Sequence, residues 1–401
     1  MRCRGLLTTA VAVLLAGAPA TATATAAAPG TPLTVPPAKL AAALTCSPGV
    51  DRAAVDPVLL VPAFSTARES YGGGYLDLLP KQGIPTCSVT LEDRGFGDLQ
   101  TATEYAVHAI REVAARSGRK VRVLGHQHGA VDLLLALRFW PDLPALVSDY
   151  VSLATPHQGT RFAADVCSAA TACAPSVHQI ARGSALLAAM VREPPPAGPD
   201  YTSIATAYDE VITPQPQASR MAGARNITLQ DVCPRRPVEH FTILSDALTR
   251  RLVLDAFTHP GPADPARLLN PCVDPPQDAG GGFGLENLSF VPNFVLLNIT
   301  QATGDEPALR CPFAAGCPVA TVPKPAAGQT CRSRRRFTVT VPRGVTRLRA
   351  VLNGRALRPR GRSVTVDLRG RRAGTVTLRL SGRTAGGRAY RSVRRYRACG
   401  T

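Results

Sequence analysis

Lysine is almost missing from this 401-residue chain: of 46 basic residues only Lys39, Lys81, Lys120 and Lys324 are lysine, the rest being arginine. Aromatic residues are also sparse at 5%, with Trp140 the one tryptophan. Beyond the N-terminal segment no apolar run reaches the roughly 18 residues of a membrane-spanning helix, so no candidate span follows it. The cysteines form no C-x-x-C pairs, which argues against a zinc ribbon. Acids are scarce in one region above all: from Cys331 to Thr401 there are 21 Arg, no Lys and a single acid, Asp367, whereas the remainder carries 25 basic and 27 acidic residues. The formal charge of +18 therefore belongs to the C-terminal segment. What is present, 45% hydrophobic and 18% charged residues, suffices for a large core and excludes disorder, collagen-like repeats and a polytopic membrane protein.

The chain opens with Arg2 and Arg4, a mostly apolar run from Leu6 to Ala18, and small-residue sites such as Ala18 to Ala20. This is the pattern of a secretory signal, so residues 1–28 are expected to be signal peptide and the start of a spacer. Loss of the signal removes Cys3 and leaves Cys46, Cys87, Cys167, Cys173, Cys233, Cys272, Cys311, Cys317, Cys331 and Cys399. An even set in an exported chain predicts disulfides. Cys167 with Cys173 and Cys311 with Cys317 would close short loops, and Cys331 with Cys399 would join the ends of the arginine-rich segment.

Between residues 39 and 275 strand and helix patterns alternate. Strand-like runs lie at Pro57 to Phe64, Thr86 to Leu91, Lys120 to Gly125, Asp149 to Ala154 and Tyr201 to Ile204; helical spacing lies at Tyr105 to Ser117 and Gly129 to Trp140. Alternation of this kind predicts an α/β domain, a parallel sheet with helices on both faces. Residues 163–200 interrupt it, with an apolar helix at Ala185 to Val191, and read either as a lid or as a surface excursion. Residues 276–330 are rich in Gly and Pro and read as a connector, with partial packing on the main domain left open. From 331 to 401 the pattern changes to period two: Phe337, Val339 and Val341, then Val364, Val366 and Leu368, then Val376, Leu378 and Leu380, with Asn353-Gly354 as a hairpin turn. A small all-β, sandwich-like domain is expected there.

The chemistry-bearing motif is Gly125-His-Gln-His-Gly129, entered from a strand and followed by a helix. Strand, Gly-x-x-x-Gly, helix is the shape of the α/β-hydrolase nucleophile elbow, in which the middle residue is presented at the helix N-terminus. Here the middle residue is Gln127. Asp209 and His240 follow in the chain order of that fold's triad. In such a triad the acid orients the imidazole, and the imidazole serves as base and then as acid. His126 and His128 form a His-x-His pair, but residues on either side of a turn diverge and no third ligand clusters with them, so no metal and no cofactor is expected.

Lys39 to about Leu269 resembles the secreted lipase B type of fungal lipase and its bacterial class 2 lipase relatives, both α/β-hydrolases. The resemblance rests on Leu44-Thr-Cys46, Leu59-Leu-Val-Pro62, Thr103-Glu-Tyr105, Ala174-Pro-Ser-Val177, Gly183-Ser-Ala-Leu186, Asp209-Glu210 and Pro214-Gln-Pro216, in that order. The bacterial members add Val151 to His157 with Gly159-Thr160. The resemblance implies pairing of Cys46 with Cys87 and of Cys233 with Cys272. It also implies triad positions Gln127, Asp209 and His240, and oxyanion-hole positions Phe64 and His128. The family usually carries Ser, then Gln, at positions 127 and 128, and Gly at 130, where this chain has Gln127, His128 and Ala130.

Two functions follow. One is an exported hydrolase of carboxylic or lipid esters, as the resemblance implies, impaired because an amide cannot form an acyl-enzyme. The other is a non-enzymatic pseudo-hydrolase that binds lipid or a surface. Neither Ser65 nor Ser184 lies in a nucleophile context. The expected ligand is a lipid or ester small molecule, with an anionic cell-surface polymer as partner of the arginine-rich domain. Phe337, Tyr390 and Tyr396 are too few to stack bases, so nucleic acid is not expected. A secreted monomer is the expected form.

Overall fold

The computed structural model describes residues 30–64, 68–71, 74–170, 172–274, 290–317, 336–369 and 374–398. It divides into two compact units, residues 1–321 and 322–401. The first unit contains strands β1 (Leu44–Cys46), β2 (Val58–Val61), β3 (Thr86–Val89), β4 (Val121–His126), β5 (Val147–Leu153), β6 (Asp200–Ala205) and β7 (Arg225–Thr228). Its helices are α1 (Pro37–Ala43), α2 (Tyr75–Lys81), α3 (Leu99–Ser117), α4 (His128–Phe139), α5 (Arg161–Ala170), α6 (Pro175–Ile180), α7 (Ala185–Val191), α8 (Leu229–Val232), α9 (Ala247–Thr258) and α10 (Phe290–Thr300).

The seven strands make one sheet in the order β1-β3-β2-β4-β5-β6-β7. All neighbours from β3 to β7 run parallel, as the alternation of strand and helix predicts. Only the edge strand β1 is antiparallel, pairing Cys46 with Cys87, a feature three residues long that no periodicity announces. The period-two side-chain alternation divides the interior into two cores. Leu59 and Val61 of β2 face one core with α3 and α4, whereas Val58 and Leu60 face the other with α2 and α9. Helix α3 begins six residues earlier than its apolar spacing suggests, because the Asp98 carboxylate accepts a hydrogen bond from Gln100 N (2.9 Å) and caps it.

Of the Gly- and Pro-rich stretch 276–330, residues 290–317 are described. Within it α10 packs on the first unit: Asn298 Oδ1 accepts from Ala174 N (2.9 Å), and Thr303 exchanges two backbone hydrogen bonds with Cys173 (2.8 and 3.2 Å). Further on, Glu306 accepts from the N-terminal amides of α7, Ala185 N and Leu186 N, and Phe313 packs edge-on against Trp140. Of the described α10 side chains, Phe294 and Leu297 pack against the core, whereas Val295, Leu296 and Ile299 are exposed. The interruption at 163–200 consists of α5, α6 and α7.

Disulfides join Cys46 to Cys87, Cys167 to Cys173, Cys233 to Cys272 and Cys311 to Cys317. The expected pair Cys331 and Cys399 lies outside the described residues, as does the expected N-terminal signal.

The second unit comprises β8 (Arg336–Thr340), β9 (Thr346–Leu352), β10 (Arg355–Leu357), β11 (Ser363–Asp367), β12 (Gly374–Arg383) and β13 (Ala389–Ala398). A four-stranded sheet, β10-β9-β12-β13, and a two-stranded sheet, β11-β8, share one apolar core that includes Val339, Leu352, Val366 and Leu378. Asn353 (φ 45°) and Gly354 (φ 82°) make the two-residue turn between β9 and β10, which needs positive φ at both positions.

One charge buried on the first sheet gives a pH prediction. Burial raises the Asp149 carboxyl on β5 from its ordinary 3.8 to about 6, with Arg122 Nε 3.8 Å away pulling only partly the other way. Between those two values the folded protein holds more protons than the unfolded one, so this residue makes stability fall as pH rises from about 4 to 6 and leaves it flat above. Asp149→Asn is therefore expected to flatten the stability profile over that window in urea titrations. An unchanged slope would show that the acid is not buried in solution.

Candidate active site

The site is built where β4 turns into α4. Gln127 takes φ 51° and ψ −125°, a conformation that costs a non-glycine residue about 1–3 kcal/mol. Its N–H donates to Leu153 O at the end of β5 (2.9 Å), and its carbonyl accepts from Ala130 N (3.3 Å). Two glycines permit the turn. A Cβ at Gly125 would lie 2.4 Å from Ala130 Cα, and one at Gly129 would lie 2.3 Å from Val61 O. The second contact seats the first turn of α4 directly on the segment that leads from β2 to Phe64. Gln127 is fully buried, and neither Oε1 nor Nε2 has a hydrogen-bond partner among the described residues.

Asp209 lies beyond the end of β6. Its Oδ1 accepts from Val211 N (3.0 Å) and Ile212 N (2.7 Å), which fixes the carboxylate. Nδ1 of His240 stands 3.0 and 3.1 Å from the two carboxylate oxygens. With the carboxylate ionised, Nδ1–H is the donor and Nε2 is left as a bare acceptor. That Nε2 is buried and unpartnered among the described residues. Glu210 steadies the backbone of the histidine by accepting from His240 N (3.1 Å).

The histidines flanking Gln127 point to separate partners, so they do not form a joint metal site. His126 Nε2–H donates to His240 O (3.1 Å), and the two rings lie 4.8 Å apart. Burial, reinforced by the neighbouring His240, pushes the His126 pKa well below the usual imidazole range and keeps this ring neutral. His128 Nδ1 lies 3.1 Å from Asp132 Oδ2 one helical turn on, and both side chains are fully buried. Burial is also what raises the Asp132 carboxyl. The one group of three metal-capable side chains among the described residues is Cys167, Cys173 and His178, and its two thiols are joined in a disulfide.

An aromatic layer covers the elbow. The Phe64 ring stacks 5.5 Å from the His128 ring, and Phe294 of α10 lies 5.6 Å from Phe64, 5.9 Å from Phe96 and 6.1 Å from Phe162. Ser184 is the N-cap of α7, accepting from Leu187 N (3.2 Å) and donating to Gln179 O (2.7 Å), which accounts for it as a structural residue. Ser65 lies outside the described residues.

This geometry can be set beside known proteins. The chain is 30% identical over 218 residues to Lipase B of Pseudozyma antarctica, a match spanning 51% of this chain and 62% of that protein. The crystal structure of Aspergillus fumigatus lipase B superposes with a TM-score of 0.63 at 25% identity, over 72% of this chain and 74% of that one. The chain has the α/β-hydrolase fold and is similar to lipases of the B type, spanning less than two thirds of the length of the curated relative it matches. No protein-family model matches it.

The Gly-x-x-x-Gly motif and the chain order brought out Gln127, Asp209 and His240, and the structure brings the last two into direct contact. It also places His128 against Phe64. Four contributors escaped the sequence reading: His126 as a prop for His240, Glu210 on the His240 backbone, Asp132 behind His128, and Phe294 over the elbow. Asp132 alone left a trace, as a lone acid four residues after His128 in an otherwise apolar helix.

Proposed function

We propose that this lipase B-type chain is an exported protein with an ester- or lipid-recognising site whose acyl-transfer chemistry is impaired. The observation that carries the reading is Gln127, held in the strained elbow conformation at the start of α4, near a complete Asp209–His240 pair. A serine at that place would pass its proton to His240 Nε2 and attack the acyl carbon. The Gln127 amide has no such proton to give and forms no acyl-enzyme.

In this reading Asp209 keeps its role of holding the His240 tautomer, and Phe64 and His128 keep the oxyanion-hole positions, since any non-proline residue can supply a backbone N–H. Binding and the oxyanion-hole donors alone set the ceiling expected for residual hydrolysis, about 10³ to 10⁴ over the uncatalysed rate. The layer of Phe64, Phe96, Phe162 and Phe294 suits an apolar acyl chain. Four disulfides support an oxidising, extracellular location.

The deciding measurement is hydrolysis of a p-nitrophenyl ester by the purified protein beside its His240→Ala variant. Rates for the two should agree within about tenfold, because the residual rate comes from binding and the oxyanion-hole donors, which the variant keeps. A wild-type rate orders of magnitude above the variant would mean that the site is a working hydrolase with another nucleophile.

A further inference from the structure

Asp367 is the one acid among the described residues of the second unit, and it is already engaged: Arg369 Nε donates to its Oδ1 at 2.9 Å, and Arg336 is its cross-strand neighbour. The remaining arginines are unevenly placed. On the two-stranded sheet the exposed positions alternating with the core are Arg336, Thr338, Thr340 and Thr365, so hydroxyl groups dominate and the arginine faces the acid. On the four-stranded sheet the corresponding exposed positions of β9 and β12 include Arg349, Arg379 and Arg383, with no acid. A compositional preference for arginine would fall on both sheets alike.

The register also staggers these charges. Arg349 stands opposite Ser381, Arg379 opposite Val351, and Arg383 opposite Thr346, so no arginine of β9 faces one of β12. With strands about 4.8 Å apart and same-face residues about 6.8 Å apart, the three form a zigzag across a flat surface. Arg347, exposed at the irregularity between Arg349 and Thr346, extends it at one end. On β13, residues 391 and 395 hold the backbone positions paired with Ser381 and Thr377.

We propose that the outer face of β9 and β12 docks a linear polyanion carrying repeated phosphate groups and no bases. Guanidinium forks bind phosphate oxygens bidentately, and a polymer laid along the zigzag would relieve the uncompensated repulsion while releasing its own counterions. Phe337, Tyr390 and Tyr396 pack against the unit's core, with Phe337 edge-on to Tyr396 at 4.7 Å, so they are not placed as a stacking platform for bases. No described residue of the unit is an exposed large apolar side chain, which argues against insertion into a bilayer. The proposal rests on the reading of the protein as exported only for where such a polymer is met.

The test uses full-length protein and inorganic polyphosphate, with binding followed by fluorescence anisotropy across a salt series. Arg349→Ser/Arg379→Ser/Arg383→Ser should weaken binding at least tenfold at low salt and make the slope of log K against log salt shallower by about 2, as expected for three lost contacts to a flexible chain. The charge-matched Arg336→Ser/Arg360→Ser/Arg362→Ser protein should bind nearly as the wild type does. A triple lysine replacement at 349, 379 and 383, with circular dichroism on every variant, separates loss of charge from loss of fold. Equal weakening by both triple-serine variants, or no wild-type binding, would overturn the assignment. So would preferred binding to a single-stranded oligonucleotide or to phosphatidylglycerol vesicles. Ester hydrolysis is untouched by this result, so the two proposals fail separately.

Discussion

Gln127→Ser should convert the protein into one that reacts covalently with a fluorophosphonate probe and hydrolyses p-nitrophenyl esters on the order of 10³-fold faster than the wild type. Removing the nucleophile of a triad hydrolase costs about a millionfold in kcat, so a scaffold tuned for serine could return that much. A smaller gain is expected here because His128 and Ala130 also depart from the pattern that the resemblance implies. The backbone is prepared for the change: φ 51° and ψ −125° at position 127, the Leu153 contact to its N–H and the α4 N-terminus do not depend on the glutamine side chain. The base is prepared as well, with His240 Nε2 unpartnered among the described residues and Nδ1 tied to Asp209. Adding His240→Ala to Gln127→Ser should abolish labelling, which ties the gain to this pair. A folded Gln127→Ser protein that stays unlabelled would place the defect in the oxyanion hole, and His128→Gln is then the next change. Wild-type activity equal to that of Gln127→Ser would end the impaired reading.

Gly129→Ala should be the most damaging single-methyl change in the first unit. The added Cβ would fall 2.3 Å from Val61 O and 2.5 Å from Pro62 O, and both neighbours are backbone atoms that no side-chain rotation can move. Overpacking of this kind costs about 1–3 kcal/mol, and a rigid backbone contact lies at the upper end. For a unit of this size the loss corresponds to a fall in Tm of roughly 5–10 °C. Gly97→Ala is the control: a Cβ there meets nothing within 4 Å and the residue has no positive φ, so its Tm should stay close to wild type. Equal melting of the two variants would mean that the β2 to Phe64 segment does not rest on α4 in solution. Because that segment leads to Phe64, Gly129→Ala placed in the Gln127→Ser background should also cut probe labelling.

The sequence by itself determined whatever depends on near neighbours. Strand, Gly-x-x-x-Gly and helix identified the elbow because only a residue without Cβ tolerates backbone at those two contacts. Period-two alternation identified β8, β11 and β12, since core and solvent lie on opposite sides of a pleated strand. Asn353-Gly354 identified a turn because both residues accept positive φ. Six-residue cysteine spacings identified two of the local loops. The order of Gln127, Asp209 and His240 gave the expected triad positions, but order carries no distance.

Tertiary structure decided everything that joins remote segments. Asp209 meets His240 across 31 residues only because β6 delivers one to the end of the sheet and the segment after α8 returns the other. His126 braces the His240 carbonyl across 114 residues, a contact that no local pattern encodes. Phe294 reaches the elbow from a stretch whose glycines and prolines read as a connector, because its ring packs beside Phe64 and Phe96, residues remote in the chain. The uneven division of threonine and arginine between the two sheets of the second unit likewise escapes a linear count. Alternation says which residues face solvent, but pairing of strands far apart in the chain decides which of them share a face, and that pairing is a long-range choice made by the core.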